Sequence, residues 1–192
     1  YKIGSGECNN YPLIEHISAF RKPIILSTGM NTIESVSKAV DIIEANDIPY
    51  ALLHTTNIYP TPDHLVRLNS LLDIKKNFPK KVFGLSDHTV SIYTSIGAVS
   101  LGACIIEKHF TLDRSWHGPD HKSSLEPYDL GELVKGCRAV FEAGGNEREI
   151  FPEEQQIVAW ARESVVSTNK IKAGMTISSD LVSVKRPSPG PG

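Results

Sequence analysis

GLSDHT, residues 84–89, and IIEKHF, residues 105–110, are two apolar runs that break abruptly into charged and hydroxyl-bearing residues around a histidine. Three more runs share the pattern when the sequence is read outward from them: YKIGSG from Tyr1, PIILSTG from Pro23 and YALLHTT from Tyr50. Short apolar runs bounded by turn residues are buried strands. Each finishes in polar residues: Ser5-Gly6-Glu7, Ser27-Thr28-Gly29, His54 to Asn57, Ser86 to Thr89, and Glu107 to His109. Strands that alternate with helices form a parallel sheet. In a parallel α/β fold the carboxyl ends of the strands share one face, and that face carries the site. The two histidine stretches therefore read as strands emptying into one active site.

The segments between the strands have helical spacing. Asn31 with Glu34 three residues later predicts a capping box, followed by Ile33, Val36, Val40 and Ile43 on one face. Leu65, Leu68, Leu72 and Ile74 predict a second helix after the rigid YPTPD loop. SIYTSIGAVSLG, EPYDLGELVKGCRAVFEAGG and PEEQQIVAWARES predict three more. After Arg162 the helical period is lost, and short β-branched runs predict the start of a small β-rich domain. The chain opens at Tyr1 already in a strand and ends at SPGPG, so both ends read as cut from a longer protein; a trimmed chain is the alternative.

Composition excludes some classes of function. With 192 residues and a formal net charge of −2, the chain has no general field for nucleic acid or an anionic membrane. Any anionic ligand must be held by local groups. Cys8, Cys104 and Cys137 are odd in number and widely spaced, which fits a reducing cytoplasmic setting better than a disulfide framework.

The strand ends offer several chemistries. His88 and His109 would stand about 5 Å apart on adjacent strands. That spacing suits two imidazoles sharing one divalent ion; the bland alternative has each holding a neighbouring carboxylate, Asp87 or Glu107. Lys2 and Lys108 lie within strand runs, where an unpaired ammonium is costly. They predict an anion site completed by Ser5, Asn57 and Ser86, a Schiff-base nucleophile as in a barrel aldolase, or a salt bridge to Glu7 or Glu107. Glu7, after the tight GSG turn, is either a general acid/base or a helix cap. Tyr59 in the YPTP loop could cross the mouth or simply pack, and Asp120 is the ligand-reaching carboxylate of the polar loop Ser115–Ser123. A non-catalytic carbohydrate-binding module would need none of this paired chemistry.

KIGSGE, PIILSTGM, the YPTP loop, GLSDHT, IIEKHFTLD, GPDHKSSLEP and the terminal KRP together resemble the N-acetylneuraminate (sialic acid) synthases, including the legionaminic and pseudaminic acid synthases. The resemblance runs from Lys2 to about Arg186. It implies an enzyme, a transferase that condenses phosphoenolpyruvate with an N-acetylmannosamine-type amino sugar and releases phosphate, using Mn2+ or Mg2+. It implies a (β/α)8 TIM barrel followed by an antifreeze-like SAF domain, in a domain-swapped homodimer. Five strands instead of eight imply that the first three are missing. Residues 1–150 would then be the C-terminal part of the barrel, 151–161 a linking helix, and 162–192 the start of a truncated SAF domain, a piece expected to be inactive alone. Residue by residue, the family's metal ligands fall on His88 and His109. Its phosphoenolpyruvate contacts fall on Lys2, Ser5, Asn57, Ser86 and Lys108, and its catalytic carboxylate on Glu7. Its sugar contacts fall on Tyr59 and Asp120, and the arginine it sends into the partner subunit on Arg186.

Overall fold

A computed structural model describes residues 1–145 and 149–186. It divides the chain into two compact units, Tyr1–Gly145 and Asn146–Gly192.

The first unit is built on five strands, β1 (Lys2–Ile3), β2 (Ile24–Ser27), β3 (Tyr50–Thr55), β4 (Val82–Asp87) and β5 (Ile105–Lys108). All pair in parallel, in the unreversed order β1-β2-β3-β4-β5. A doubly wound sheet needs a reversal of order to place helices on both faces. Without one, right-handed crossovers put every connecting helix on the same side. Those helices are α1 (Tyr11–Ser18), α2 (Ile33–Ala45), α3 (Asp63–Val66), α4 (Ser70–Asn77) and α5 (Tyr93–Ser100), with α6 (Pro127–Ala143) after the last strand. The outward strand residues Ile3, Leu26, Leu52, Phe83 and Leu85 pack with Val36, Ile43, Leu71, Ile74 and Ala98 of the helices into one buried core. Each of these side chains larger than alanine contributes about 1.5–3 kcal/mol by leaving water.

The sheet is strongly curled, and one ion pair demonstrates it. Nζ of Lys2 lies 3.2 Å from Oε1 of Glu107, although their strands are the two edges of the sheet. In a flat sheet those edges would be roughly 19 Å apart, four spacings of about 4.8 Å. No lysine and glutamate reach across that gap. The five strands are therefore a partial barrel with a concave inner face.

Two helical expectations change in detail. The cap of α2 is Thr32, whose side chain accepts from Ser35 N. Asn31 instead donates through its amide to the carbonyls of Ser5 and Gly29, tying the first two loops together. The single helix expected from Leu65 to Ile74 is two, because Arg67 adopts a left-handed conformation (φ 53°) between α3 and α4.

In the second unit, α7 (Gln155–Ala161) precedes an antiparallel pair, β6 (Ser164–Ser167) with β7 (Val182–Lys185). Arg186 lies 3.8 Å from Glu163. Pro187, the last residue of the KRP motif, and the SPGPG end lie outside the described residues. Among the described residues, no helix is long and apolar enough to cross a membrane.

Candidate active site

Strand register fixes which side chains share the concave face. Thr55, Ser86 and Glu107 occupy one rung across β3, β4 and β5. Strict alternation then places His88 and His109 on the same face one step beyond. Their ring centroids are 5.3 Å apart, close to the lateral spacing expected of paired strand ends.

His88 is turned by its backbone surroundings. Its Nδ1 lies 2.8 Å from the carbonyl oxygen of Thr56. A carbonyl only accepts, so Nδ1 carries the proton and Nε2 keeps a free lone pair. Burial pushes the imidazole below its ordinary pKa, and the nearby His109 adds to the effect against the pull of Thr56 and the carboxylates. A neutral ring with one nitrogen fixed by a carbonyl is the form that ligates metal. Nδ1 of His109 stands 3.8 Å from the carboxylate of Asp120. Among the described residues no group of three or more His, Cys, Asp and Glu side chains could hold a metal ion. The pair that faces the mouth is two imidazoles, His88 and His109.

The YPTP loop is pinned over these rings. Thr61 N donates to the carbonyl of His88 (3.0 Å), and Thr61 Oγ1 donates to the carbonyl of Ile58 (2.6 Å). The Tyr59 ring consequently stacks on His88 at 4.0 Å and meets His109 edge-on at 5.7 Å. Burial, with Asp120 and Glu107 nearby, raises the Tyr59 hydroxyl above its ordinary pKa.

Lys2 reaches along the inner wall. It donates to Ser27 Oγ at 2.9 Å and pairs with Glu107, whose same Oε1 accepts from Ser86 Oγ at 2.7 Å. Ser5 is buried, and its Oγ accepts from Gly29 N at 3.1 Å. Asn57 Oδ1 is buried beside Gly29 with no hydrogen-bond partner among the described residues. Gly29 permits this arrangement: a Cβ there would stand 1.9 Å from Asn57 Oδ1 and 2.9 Å from Ser5 Oγ. Glu7 ends a short 3-10 turn, Ser5–Glu7, with its exposed carboxylate folded back over Gly4.

Lys108 departs from the expectation. Its register partner is Asp87, and both point to the outer, helix-covered side. The ammonium donates to the carbonyls of Thr89 (2.6 Å) and Ser91 (3.0 Å) and to Thr89 Oγ1, and lies 3.3 Å from Asp87. Asp87 in turn accepts from Thr94 Oγ1, Ser95 Oγ and Thr89 N. Burial alone would raise the Asp87 carboxyl, but Lys108 and these three donors hold it below its ordinary pKa. A fully paired ammonium behind the sheet neither meets a ligand at the mouth nor serves as a Schiff-base nucleophile. The inner face holds Glu107 and Ser27 instead. Counting by twos from Ser86 and His88 would have found Glu107 and rejected Lys108.

Two of the other histidines do structural work. Nε2 of His54 lies 2.7 Å from the carbonyl oxygen of Val66 on the outer side, and Nδ1 of His121 lies 2.7 Å from Thr111 Oγ1. The second contact steadies the polar loop, which Leu125 N closes by donating to the carbonyl of His109. Asp120 is held beside His109 by this closure.

The sequence profile of the NeuB family matches residues 1–149. The chain belongs to the NeuB family. Among NeuB-family relatives, it is 42% identical to the uncharacterized protein MJ1065 of Methanocaldococcus jannaschii, covering 99% of this chain and 57% of the relative. It is 40% identical to the N,N'-diacetyllegionaminic acid synthase of Campylobacter jejuni, covering 99% of this chain and 58% of that enzyme. A solved N-acetylneuraminic acid synthetase of Leptospira borgpetersenii superposes with a TM-score of 0.77 at 32% identity, over 82% of this chain and 55% of that one. This NeuB-family chain thus spans a little over half the length of the relatives it matches.

Proposed function

We propose that the protein carrying this chain condenses phosphoenolpyruvate with an N-acetylated amino sugar to give a nine-carbon 2-keto sugar acid and phosphate. The observation that carries this reading is the crowding of two imidazoles, a lysine and several neutral donors onto one concave face, in a chain of a family with legionaminic and pseudaminic acid synthases among its members. Lys2, Ser5, Ser86 and Asn57 would hold the anionic groups of phosphoenolpyruvate. Tyr59 and Asp120 would meet the sugar. C3 of the enol phosphate forms the new bond to the sugar aldehyde carbon, water adds at C2, and phosphate leaves with cleavage of its C–O bond. Glu7 would orient that water or take its proton. His88 and His109 would hold a divalent ion, which polarises the aldehyde oxygen when bound. Imidazole nitrogen is a poor ligand for Mg2+, which takes oxygen, so Mn2+ fits the pair better.

The wider assembly follows the same reading: residues 1–150 would be the later part of an eight-stranded barrel and 162–192 the opening of an antiparallel SAF domain. Arg186, on the second unit, would reach the site of a partner subunit in a domain-swapped dimer. The test is phosphate release by the full-length protein that carries this chain, from phosphoenolpyruvate plus N-acetylmannosamine or a diacetylated relative. Release that needs both substrates, stops with chelator and returns with Mn2+ is expected. Borohydride trapping of a keto acid on the protein, or release indifferent to chelation, would defeat it.

A further inference from the structure

The proposed anion site is already filled by a group of the protein itself. Oε1 of Glu107 accepts from Ser86 Oγ at 2.7 Å and lies 3.2 Å from Nζ of Lys2. Those are two of the groups that would receive a substrate anion. One carboxylate oxygen thus stands where a phosphate or carboxylate oxygen of the ligand would stand. Both side chains of the ion pair are partly open, Lys2 at 37% and Glu107 at 41% of their side-chain surface. Solvent reaches the pair, so it can exchange partners. The contrast with Lys108 and Asp87, 2% and 0% open, is sharp. An ion pair built only for stability has no need of an open mouth.

We propose that Glu107 is an internal counter-anion that competes with the substrate anion for Lys2 and Ser86 and so sets how tightly that anion is held. The inference rests on the anion-site reading above. An incoming anion must either displace the Glu107 carboxylate or share Lys2 with it. In both cases a negative charge at contact distance opposes binding. The same competition speeds release of an anionic product, because the carboxylate returns to the vacated donors.

The sign of the effect separates this role from a supporting one. Glu107→Gln keeps an oxygen that can accept from Lys2 and Ser86 but removes the charge. With chelator present, so that no divalent ion contributes, calorimetric titration of the full chain with phosphoenolpyruvate is expected to show about tenfold tighter binding for this variant. That gain should shrink as salt rises, because exposed charges are screened. Glu107→Asp keeps the charge and draws it back, and a gain of about two- to fivefold is expected. It also serves if the glutamine variant fails to fold. Adding Lys2→Met should erase both gains. Equal or weaker binding by both Glu107 variants, while Lys2→Met alone weakens binding, would overturn the competition and leave Glu107 as a brace for Lys2. If Lys2→Met binds as the unaltered protein does, Lys2 holds no anion. The reading of the site then falls, and the competition with it.

Discussion

Two charged clusters stand back to back on the ends of the same two strands. On the inner face, Lys2 and Glu107 pair over a buried Ser86 while their own side chains stay partly open, beside two imidazoles. On the outer face, Lys108 and Asp87 are closed from water and every oxygen and proton is answered by Thr89, Ser91, Thr94 or Ser95. The residues are neighbours in sequence, and both sets contain a lysine, a carboxylate and hydroxyls. Only saturation tells them apart. A structural ion pair is stable because its partners leave nothing over, whereas a binding site must keep some capacity unspent.

The outer pair should give the largest effect when it is broken. Lys108→Met leaves the Asp87 carboxylate buried without its cation, and removing one partner of a buried pair costs about 3–5 kcal/mol. Urea denaturation of the full chain should show that loss in its midpoint. A change below about 1 kcal/mol, the range of exposed pairs, would mean the cluster is open to solvent and the contrast between the faces is false.

That contrast also measures how much the sequence could tell. The five strands and their carboxyl-end face were legible because a buried parallel strand needs an unbroken apolar run, and IILS or VFGL offers little else. His88 and His109 were legible because their strand ends are in register. Lys108 misleads because a lysine at a strand end suggests a ligand, whereas alternation decides its side: Glu107 and His109 face the mouth, so the residue between them cannot. Alternation likewise points Ser27 inward, and Glu107, expected only as a salt-bridge partner for the lysines, takes that part with Lys2. The curl that brings β1 to β5 was legible only through the family resemblance, since it depends on strand order and not on any local pattern. Asn31 misled for a different cause. Two potential caps stood side by side, and the tie to Ser5 and Gly29 engaged one of them.

A second test works on the inner face alone. His88→Ala and His109→Ala should each weaken Mn2+ binding, followed by electron paramagnetic resonance, by more than the roughly 10–100-fold that losing a supporting contact costs. Stability should change far less than for Lys108→Met, because neither ring anchors the core. Retained Mn2+ affinity in both variants would place the ion elsewhere.

The smallest expected effect sharpens the comparison most, since it pits two serines with like duties against each other. Ser27 Oγ accepts from Lys2 at 2.9 Å on the inner face, and Ser95 Oγ donates to Asp87 at 2.6 Å on the outer. Both serines are buried, at 2% and 0% exposure. Ser95→Ala removes one of the donors that hold a buried carboxylate ionised, and a hydrogen bond to a charged group is worth roughly 1.5–3 kcal/mol. The loss should appear in the denaturation midpoint, with phosphoenolpyruvate binding unchanged. Ser27→Ala frees an ammonium that water can reach, so water replaces most of the contact. Its stability cost should stay near or below about 1 kcal/mol. The anion, however, loses a lysine held in place, because Lys2 then leans wholly on Glu107. Binding should weaken by about two- to fivefold, the modest loss expected when positioning and not charge is removed. The two variants thus exchange signatures, one read in stability and the other in affinity. If Ser95→Ala weakened anion binding while Ser27→Ala moved only the denaturation midpoint, the inner and outer clusters would have been assigned the wrong way round.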